Sequence, residues 1–335
     1  MPTKYIETNI DLVNYTNEHE SIDLDKDKDK DLDKNKDLDK DKQVTTNNDS
    51  NTLLDFFCNY SFYLFIIYSF FLLISGIVLI TVTILYDYSN NKFWINQLLK
   101  YVLVCIIQYG MALLVKYKNA KVNYTRKVIH ISYFLLPQLL DIILLHYTKN
   151  KLTEFWNLWI ILVLLIIMSE HIRDKISVIN TMFMAVDRPE DKPYTLIWFS
   201  SQIITSLIVL LPFSVYFSKI DEIGLIFIPI LINALADGLA EPIGIKFGKH
   251  KYKTKGCLSN KEYERSYEGS LCVFTVSLII ICSYYNYMDF NQFLFCSLTI
   301  PLLITFTEAF SPHTWDSPLL FLVSCSLLSI STCLN

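Results

Sequence analysis

Residues 233–270 read NALADGLAEPIGIKFGKHKYKTKGCLSNKEYERSYEGS, and this stretch decides how the rest of the chain is interpreted. It continues an apolar run, 223–232, that suits a membrane, but Asp237 and Glu241 stand where further apolar residues are expected. Acidic side chains inside a membrane are costly, and they usually mark a functional site. The stretch therefore predicts a polar site on a membrane helix.

Helical spacing places the two acids and several small residues on one side of this predicted helix. The residues that share the face are Asp237, Ala240, Glu241, Gly244 and Gly248. Two carboxylates suit a divalent cation, and glycines let a bulky anion approach the main chain closely.

A basic segment follows the acidic face. Residues 246–265 contain seven Lys or Arg against two acids, Glu262 and Glu264. An acidic helix face beside a cationic loop favours a receptor for Mg²⁺ and a polyphosphate. The alternative is a kinked membrane helix followed by a loop that is basic only because of its membrane topology.

The composition indicates a polytopic membrane protein, because 52% of the 335 residues are hydrophobic and they occur in long blocks. The net charge of −4 comes from the first 50 residues, which hold 14 acids and 8 bases and leave +2 for the remainder. Residues 23–42 nearly repeat Asp-Lys, which predicts a disordered low-complexity tail over 1–52 and a transmembrane catalytic domain over 53–335. The eight cysteines have no metal-ligand spacing and are interpreted as small core residues.

Nine apolar blocks predict an all-α membrane bundle of nine transmembrane helices, or eight if one short block is interfacial. The blocks are 56–86, 101–115, 128–147, 155–169, 194–217, 223–245, 269–287, 290–306 and 318–334. Most loop Lys and Arg follow blocks two, four and six, so the positive-inside rule places the even-numbered connections in the cytosol. The connection 307–317, after block eight, then lies on the same face, which predicts one cytosol-facing site.

Three further clusters fall in these connections. Arg126, Lys127 and His130 lie one turn apart and suit a phosphate clamp or an acceptor-orienting group, or else a positive-inside anchor. Glu308 and Asp316 in EAFSPHTWD are candidate metal ligands or bases, or else solvated loop acids. The mixed-charge segment 188–194, RPEDKPY, is interpreted as ordinary loop chemistry.

Taken together, these elements resemble the CTP-dependent polyprenol kinases, an integral-membrane family that includes dolichol, phytol and farnesol kinases and the yeast-type diacylglycerol kinase. The resemblance covers residues 100–335 and looks closest to the prenol and phytol kinase branch. Its core pattern is D-x2-A-x3-G-x3-G, a basic segment, and K-[ST]-x-E-G-[ST], with RKxxH before it and EAxSP after it. The matching residues are Arg126, Lys127, His130, Asp237, Ala240, Gly244, Gly248, Lys249, Arg265, Ser266, Glu268, Gly269, Ser270, Glu308, Ala309, Ser311, Pro312 and Asp316. Arg265 stands where Lys is usual, and Ser317 where Asn is common.

The resemblance implies transfer of the γ-phosphoryl group of CTP to the hydroxyl of farnesol, geranylgeraniol, phytol or dolichol. Asp237 and Glu241, with Glu268, are expected to hold Mg²⁺, and Asp316 or Glu308 to act as base. Arg126, Lys127 and His130 are expected to orient donor or acceptor. The expected nucleotide-binding residues are Ala240, Gly244, Lys246, Gly248, Lys249, Lys255, Arg265, Ser266, Gly269 and Ser270.

Two other readings stay open at this point. A CTP-dependent diacylglycerol kinase or a phosphatidate cytidylyltransferase uses the same nucleotide, and a transporter uses intramembrane acids as coupling sites. The expected partners are CTP, a lipid alcohol and membrane lipids, and no nucleic acid. The sequence does not determine the oligomeric state. The expected location is an endoplasmic-reticulum or plastid-type membrane.

Overall fold

The computed structural model of the chain describes residues 61–85, 91–145, 151–192, 194–255, 262–312 and 315–334. These residues belong to one compact unit, Cys58–Asn335, and the predicted tail 1–52 lies outside them. The helices are α1 (Ser61–Leu85), α2 (Asn91–Lys118), α3 (Val122–Leu145), α4 (Lys151–Ile167), α5 (Glu170–Arg173), α6 (Ser177–Phe183), α7 (Thr195–Lys219), α8 (Ile223–Phe247), α9 (Tyr267–Ser283), α10 (Phe290–Phe310) and α11 (Asp316–Ser331).

The chain is a helical membrane protein. Within the described ranges, six helices are long and apolar enough to cross a membrane: α1, α2, α3, α7, α8 and α10. Three shorter apolar helices, α4, α9 and α11, fall where the sequence predicts three further spans. Length and composition therefore support six candidate spanning helices among the described residues, and the eight or nine that the sequence predicts stay a prediction.

The second spanning helix is longer than predicted. The sequence places it at 101–115 because the preceding residues are polar, whereas α2 begins at Asn91. Asn96, Gln97 and Lys100 in this early part are buried inside the bundle. Hydropathy misses them because their polar groups face neighbouring helices instead of water.

Helix α8, which carries the acidic face, changes type along its length. It begins as a 3₁₀ turn, continues as Phe227–Leu231 in α geometry, widens to a π-helix over Ile232–Asp237 and returns to α geometry at Gly238–Phe247. A π segment adds a residue to a turn and is often found at functional sites. The sequence predicts one uninterrupted helix here.

A β-hairpin departs from the predicted all-α fold. Strands β1 (Lys251–Lys255) and β2 (Glu262–Ser266) pair antiparallel, with Lys251 opposite Ser266 and Lys253 opposite Glu264. The strands alternate side chains of the basic segment between two faces. Tyr252 and Arg265, opposite each other in the hairpin, contact Ser270 and Glu308, so they connect the hairpin to the start of α9 and the end of α10.

Four clusters of packed apolar side chains lie among the described helices, and two of them include residues near the end of α8 or the start of α3. The larger joins α7 to α11 around fully buried side chains such as Phe217, Ile232 and Ile300. The smaller joins α2, α3 and the segment after α4 around Ala112 and Ile129. The start of α3 and the end of α8 meet between these regions, and the candidate site lies there.

Candidate functional site at the shared ends of the helices

One cleft of about 600 Å³ collects most of the predicted site residues. Its walls come from the start of α3, the end of α8, strand β2, the start of α9, the end of α10 and the start of α11. The lining residues are Lys121, Asn123, Arg126, Lys127, Arg188, Glu190, Asp237, Ala240, Glu241, Gly244, Ile245, Lys251, Glu264, Arg265, Ser266, Gly269, Ser270, Glu308 and Asp316.

All four even-numbered connections of the predicted topology contribute to this cleft. Lys121 precedes α3, Arg188 follows α6, Arg265 lies in the hairpin, and Asp316 follows the connection after α10. Segments far apart in sequence meet here because the helices that precede them end on the same side of the bundle.

Asp237 forms the most buried ion pair of the cleft. Both of its carboxylate oxygens accept hydrogen bonds from Lys127 Nζ, at 3.0 and 2.9 Å. His130 Nε2 lies 3.4 Å from the same carboxylate. The side chains of Lys127 and Asp237 are only 6% and 4% exposed, so their mutual attraction is weakly screened. The π segment ends at Asp237 and orients it towards α3.

Glu241, one turn later, is surrounded by donors from two segments, the start of α3 and the segment after α6. Arg126 donates to it at 2.8 Å and Asn123 at 2.7 Å. Arg188 Nη1 lies 3.5 Å away, and Lys127 lies at 3.9 Å on its other side. The Glu241 side chain is 21% exposed and borders the cleft. Its physical role in this structure is to hold cationic side chains in one cluster.

Arg265 and Glu308 form the opposite wall. The guanidinium donates to both the carboxylate and the main-chain carbonyl of Glu308, and to Ser311 Oγ at 3.2 Å. Burial alone lowers the pKa of Arg265, but the adjacent Glu308 carboxylate outweighs it and raises that pKa above its usual value. Arg265 is thus a permanently charged group, and the hairpin positions it.

Asp316 accepts a hydrogen bond from an amide side chain. Gln202 of α7 donates to it at 2.9 Å and to the hydroxyl of Ser317 at 2.8 Å. Asp316 is the first residue of α11, where the helix dipole favours a negative charge. Among the six acids of the cleft lining, Glu241 and Glu308 pair with arginines, Asp237 pairs with a lysine, and Asp316 accepts from the Gln202 amide.

Comparisons with family models, curated proteins and solved structures give no match.

The cleft is balanced in charge. Six of its lining residues are basic and six are acidic. A bare triphosphate would add a large uncompensated negative charge, whereas a magnesium nucleotide carries less. Among the residues that the structure describes, no three His, Cys, Asp or Glu side chains could hold a metal by themselves. Magnesium is commonly held by one or two carboxylates together with substrate phosphates, so this donor set fits an ion that arrives with a nucleotide.

Several predicted site residues lie outside the cleft lining. Glu268 accepts from the main-chain N–H groups of Lys249 and His250 and from the His250 ring, so it holds the turn that enters the hairpin. Lys246 is exposed and lies over the Phe247 ring. Lys249 is also exposed, and the side chain of Lys255 lies outside the described residues. His130 sits behind Asp237, on its buried side.

The predicted glycines serve packing between segments. A β-carbon on Gly244 would lie 2.6 Å from Ser266 Oγ, and one on Gly248 would lie 2.7 Å from Ser266 Cβ. One on Gly269 would lie 2.9 Å from the Ala240 carbonyl oxygen. Ser266 also accepts from the Gly269 N–H and caps α9. The sequence predicts that a phosphate approaches the main chain at these glycines. In the structure Ser266 occupies that space, and the absence of a β-carbon on Gly244 and Gly248 allows it to lie so close.

The segment 188–194, which the sequence alone did not assign to the site, contributes to the cleft. Arg188 is 2% exposed, and its guanidinium contacts Asp191 at 2.6 Å while reaching Glu241. Asn123 links Glu241 to Glu190, at 2.7 and 3.4 Å. Ordinary loop chemistry is therefore the wrong interpretation of 188–194. The density of charge beside two prolines was a usable signal, but only the fold shows that Arg188 is buried.

Proposed function

We propose that this protein is a lipid-alcohol kinase that transfers the γ-phosphoryl group of CTP to a prenol. The observation that carries the proposal is one charge-balanced cleft, built from four connections, at the ends of apolar helices. Phosphoryl transfer depends on positioning and charge stabilisation more than on covalent catalysis, and such a cleft supplies both. The choice of CTP and of a prenol follows from the four ordered elements that resemble polyprenol kinases.

The arginines are assigned to the phosphates. Arg126, Arg188 and Arg265 present planar guanidinium groups that match phosphate oxygens. Glu241 and Glu308 hold these groups in place before a nucleotide arrives, which lowers the ordering cost of binding. This assignment replaces a metal role for Glu241, since four donor side chains already surround its carboxylate.

Two further acids of the cleft, Asp237 and Asp316, are assigned to chemistry. Asp237 would take the proton of the attacking hydroxyl group. The alcohol oxygen would form a bond to the γ-phosphorus while the bond from the γ-phosphorus to the bridging β-phosphate oxygen breaks, and CDP would leave. Asp316 would hold magnesium together with phosphate oxygens. The ion, when bound, would neutralise charge that develops on the transferred group. Lys127 would hold the Asp237 carboxylate in position before the reaction.

A membrane location gives both substrates access to Asp237. A prenol partitions into hydrocarbon with its hydroxyl near the interface, whereas CTP is confined to water. We assign all nine apolar helices to membrane crossings, because α9, α10 and α11 must alternate in direction for their site-bearing ends to meet. The cleft then faces the cytosol, as the Lys and Arg distribution predicts, in an endoplasmic-reticulum or plastid-type membrane.

The test is a transfer assay on the purified full-length protein in lipid nanodiscs. Labelled CTP or ATP is offered with farnesol, geranylgeraniol, phytol, dolichol, diacylglycerol or phosphatidate. We expect labelled prenyl monophosphate and CDP from CTP, and no product without Mg²⁺. If diacylglycerol were the only acceptor phosphorylated, the protein would be identified as a diacylglycerol kinase. Pyrophosphate release with phosphatidate would identify a cytidylyltransferase, and absence of any nucleotide-dependent product would reject the kinase.

A further inference from the structure

Asn233 is an unusual residue for the inside of a membrane bundle. It lies in the π segment Ile232–Asp237 and has no exposed surface. Neither its amide nitrogen nor its amide oxygen has a hydrogen-bond partner in the structure. Buried polar side chains nearly always have partners, so an amide with both ends open calls for an explanation.

The backbone at this position is unusual as well. A π turn is less favourable than an α turn and is retained mostly where function needs it. Its effect here is visible in His130, whose Nε2 lies 2.9 Å from the main-chain carbonyl oxygen of Asn233. A carbonyl only accepts, so this nitrogen carries the proton. Two costly features, an open amide and a π turn, thus coincide within one helical turn of Asp237.

Asn233 and Asp237 lie at different depths. Asp237 lines the cleft, whereas Asn233 precedes it by about one π turn, farther from the end of α8 that forms the cleft, and is not one of the lining residues. His130 bridges the two levels, because its ring is near both residues and also packs on Phe134, with ring centroids 5.0 Å apart. Asp237 therefore has the cleft on one side and a small polar pair on the other.

The hydrogen-bonding capacity of the open amide selects among ligands. An amide offers an acceptor oxygen and two donor hydrogens, and a hydroxyl group offers a donor and acceptor lone pairs. One hydroxyl can satisfy both ends of Asn233. An ionised phosphate has acceptors only and leaves the amide oxygen open in a buried place, which is strongly unfavourable.

We propose that Asn233 and His130 form the subsite for the acceptor hydroxyl, on the membrane side of Asp237. The ligand class is a neutral lipid bearing one hydroxyl group, in preference to a lipid phosphate. This inference rests on the proposed kinase function, since it supplies the second substrate of the same site. Asn233 positions the hydroxyl, and Asp237 receives its proton.

The test uses binding of labelled geranylgeraniol to the purified full-length protein in nanodiscs, independent of turnover. Asn233→Leu should weaken alcohol binding about tenfold or more. It should leave CTP affinity within about twofold, because the cleft is unchanged, and it should not lower the melting temperature, because an open amide is removed. The matched control is Gln97→Leu, since Gln97 is also a buried amide with both ends open but lies away from the cleft.

A ligand-side measurement avoids any variant. The methyl ether of geranylgeraniol keeps the chain but lacks the donor hydrogen, and we expect it to bind the wild-type protein at least about tenfold more weakly. Equal binding of alcohol and ether, or an equal loss of alcohol binding in both leucine variants, would overturn the subsite. Alcohol binding that depends on Asn233 without CTP-dependent transfer would reject only the kinase. Transfer that is indifferent to Asn233 would reject only the subsite.

Discussion

Helix α3 carries an ion pair near each of its ends, and the two pairs behave differently. Near its start, Lys127 and Asp237 border an open cleft. Near its end, roughly 20 Å further along the axis, Asp141 meets Lys100 of α2 at 2.5 Å. The two side chains at this second site are 1% and 7% exposed. Both sites contain buried charges, and the first borders the cleft described above.

The second site is closed by neutral amides. Asn96 donates to Asp141 at 2.6 Å, and Asn157 of α4 donates to it at 3.0 Å while accepting from Lys100 at 2.7 Å. We call these four residues the Lys100 network. It satisfies one charge with the other and joins three helices, which is a structural role. At the first site, Arg126 and Arg188 share one acid, Glu241, and all three residues border the cleft. This arrangement indicates a binding role instead.

The largest expected effect is on catalysis at the open site. Asp237→Asn removes the proton acceptor, so transfer should fall by about a thousandfold or more. The fold should survive, because Lys127 keeps Glu241 as a second counter-ion at 3.9 Å. The measurement is labelled-CTP transfer alongside thermal unfolding in detergent. Turnover near the wild-type rate in this variant would exclude the assigned role.

The same substitution in the Lys100 network should have the opposite result. Asp141→Asn leaves Lys100 buried without its counter-charge and should destabilise the fold by about 3–5 kcal/mol. Transfer per folded molecule should stay unchanged. The double variant Lys100→Met with Asp141→Leu should recover most of the stability, because an apolar pair avoids the desolvation cost of both charges. Equal stability of the single variant and the wild type would refute a structural role for the pair.

A smaller effect separates cleft cations from exterior ones. Arg265→Ala should raise the KM for nucleotide about tenfold, since the guanidinium faces the cleft. Lys246→Ala, in the neighbouring helix end but outside the cleft lining, is the control and should leave KM nearly constant. Steady-state kinetics with varied CTP give both values. An equal rise in the two variants would show that only the overall positive charge matters.

The smallest expected effect concerns the rim. A hydrogen bond from Lys251, at 2.9 Å, and the charge of that lysine lower the pKa of Glu264. A lowered pKa in the folded state stabilises the protein above the unfolded pKa, and that stabilisation is lost as pH falls through the lowered value. Both side chains are exposed, so water screens the pair strongly. Glu264→Gln should not measurably change the melting temperature at neutral pH, and a clear drop would mean that the hairpin depends on this pair.

Motif spacing in the sequence singled out Arg126, Lys127, Asp237, Arg265 and Asp316, because charged residues are conspicuous within or beside apolar blocks. The structure brings these five residues into one cleft, and their functional roles stay predictions. The hairpin was not predicted, because a segment rich in Lys has a weak strand propensity. The π segment was not predicted, because helical spacing assumes a regular α-helix. The early turns of α2 were not predicted, because their polar residues lower the mean hydropathy of the segment.

Local composition by itself determined that this chain is a helical membrane protein with charged connections. Burying an apolar block in hydrocarbon is favourable whatever its neighbours are, so that property can be read residue by residue. Tertiary structure alone decided which charges meet. Lys127 reaches Asp237 across 110 positions, and Arg126 reaches Glu241 across 115. Whether a buried charge is paired, shared or left open depends on which helix ends pack together, and that requires the three-dimensional arrangement.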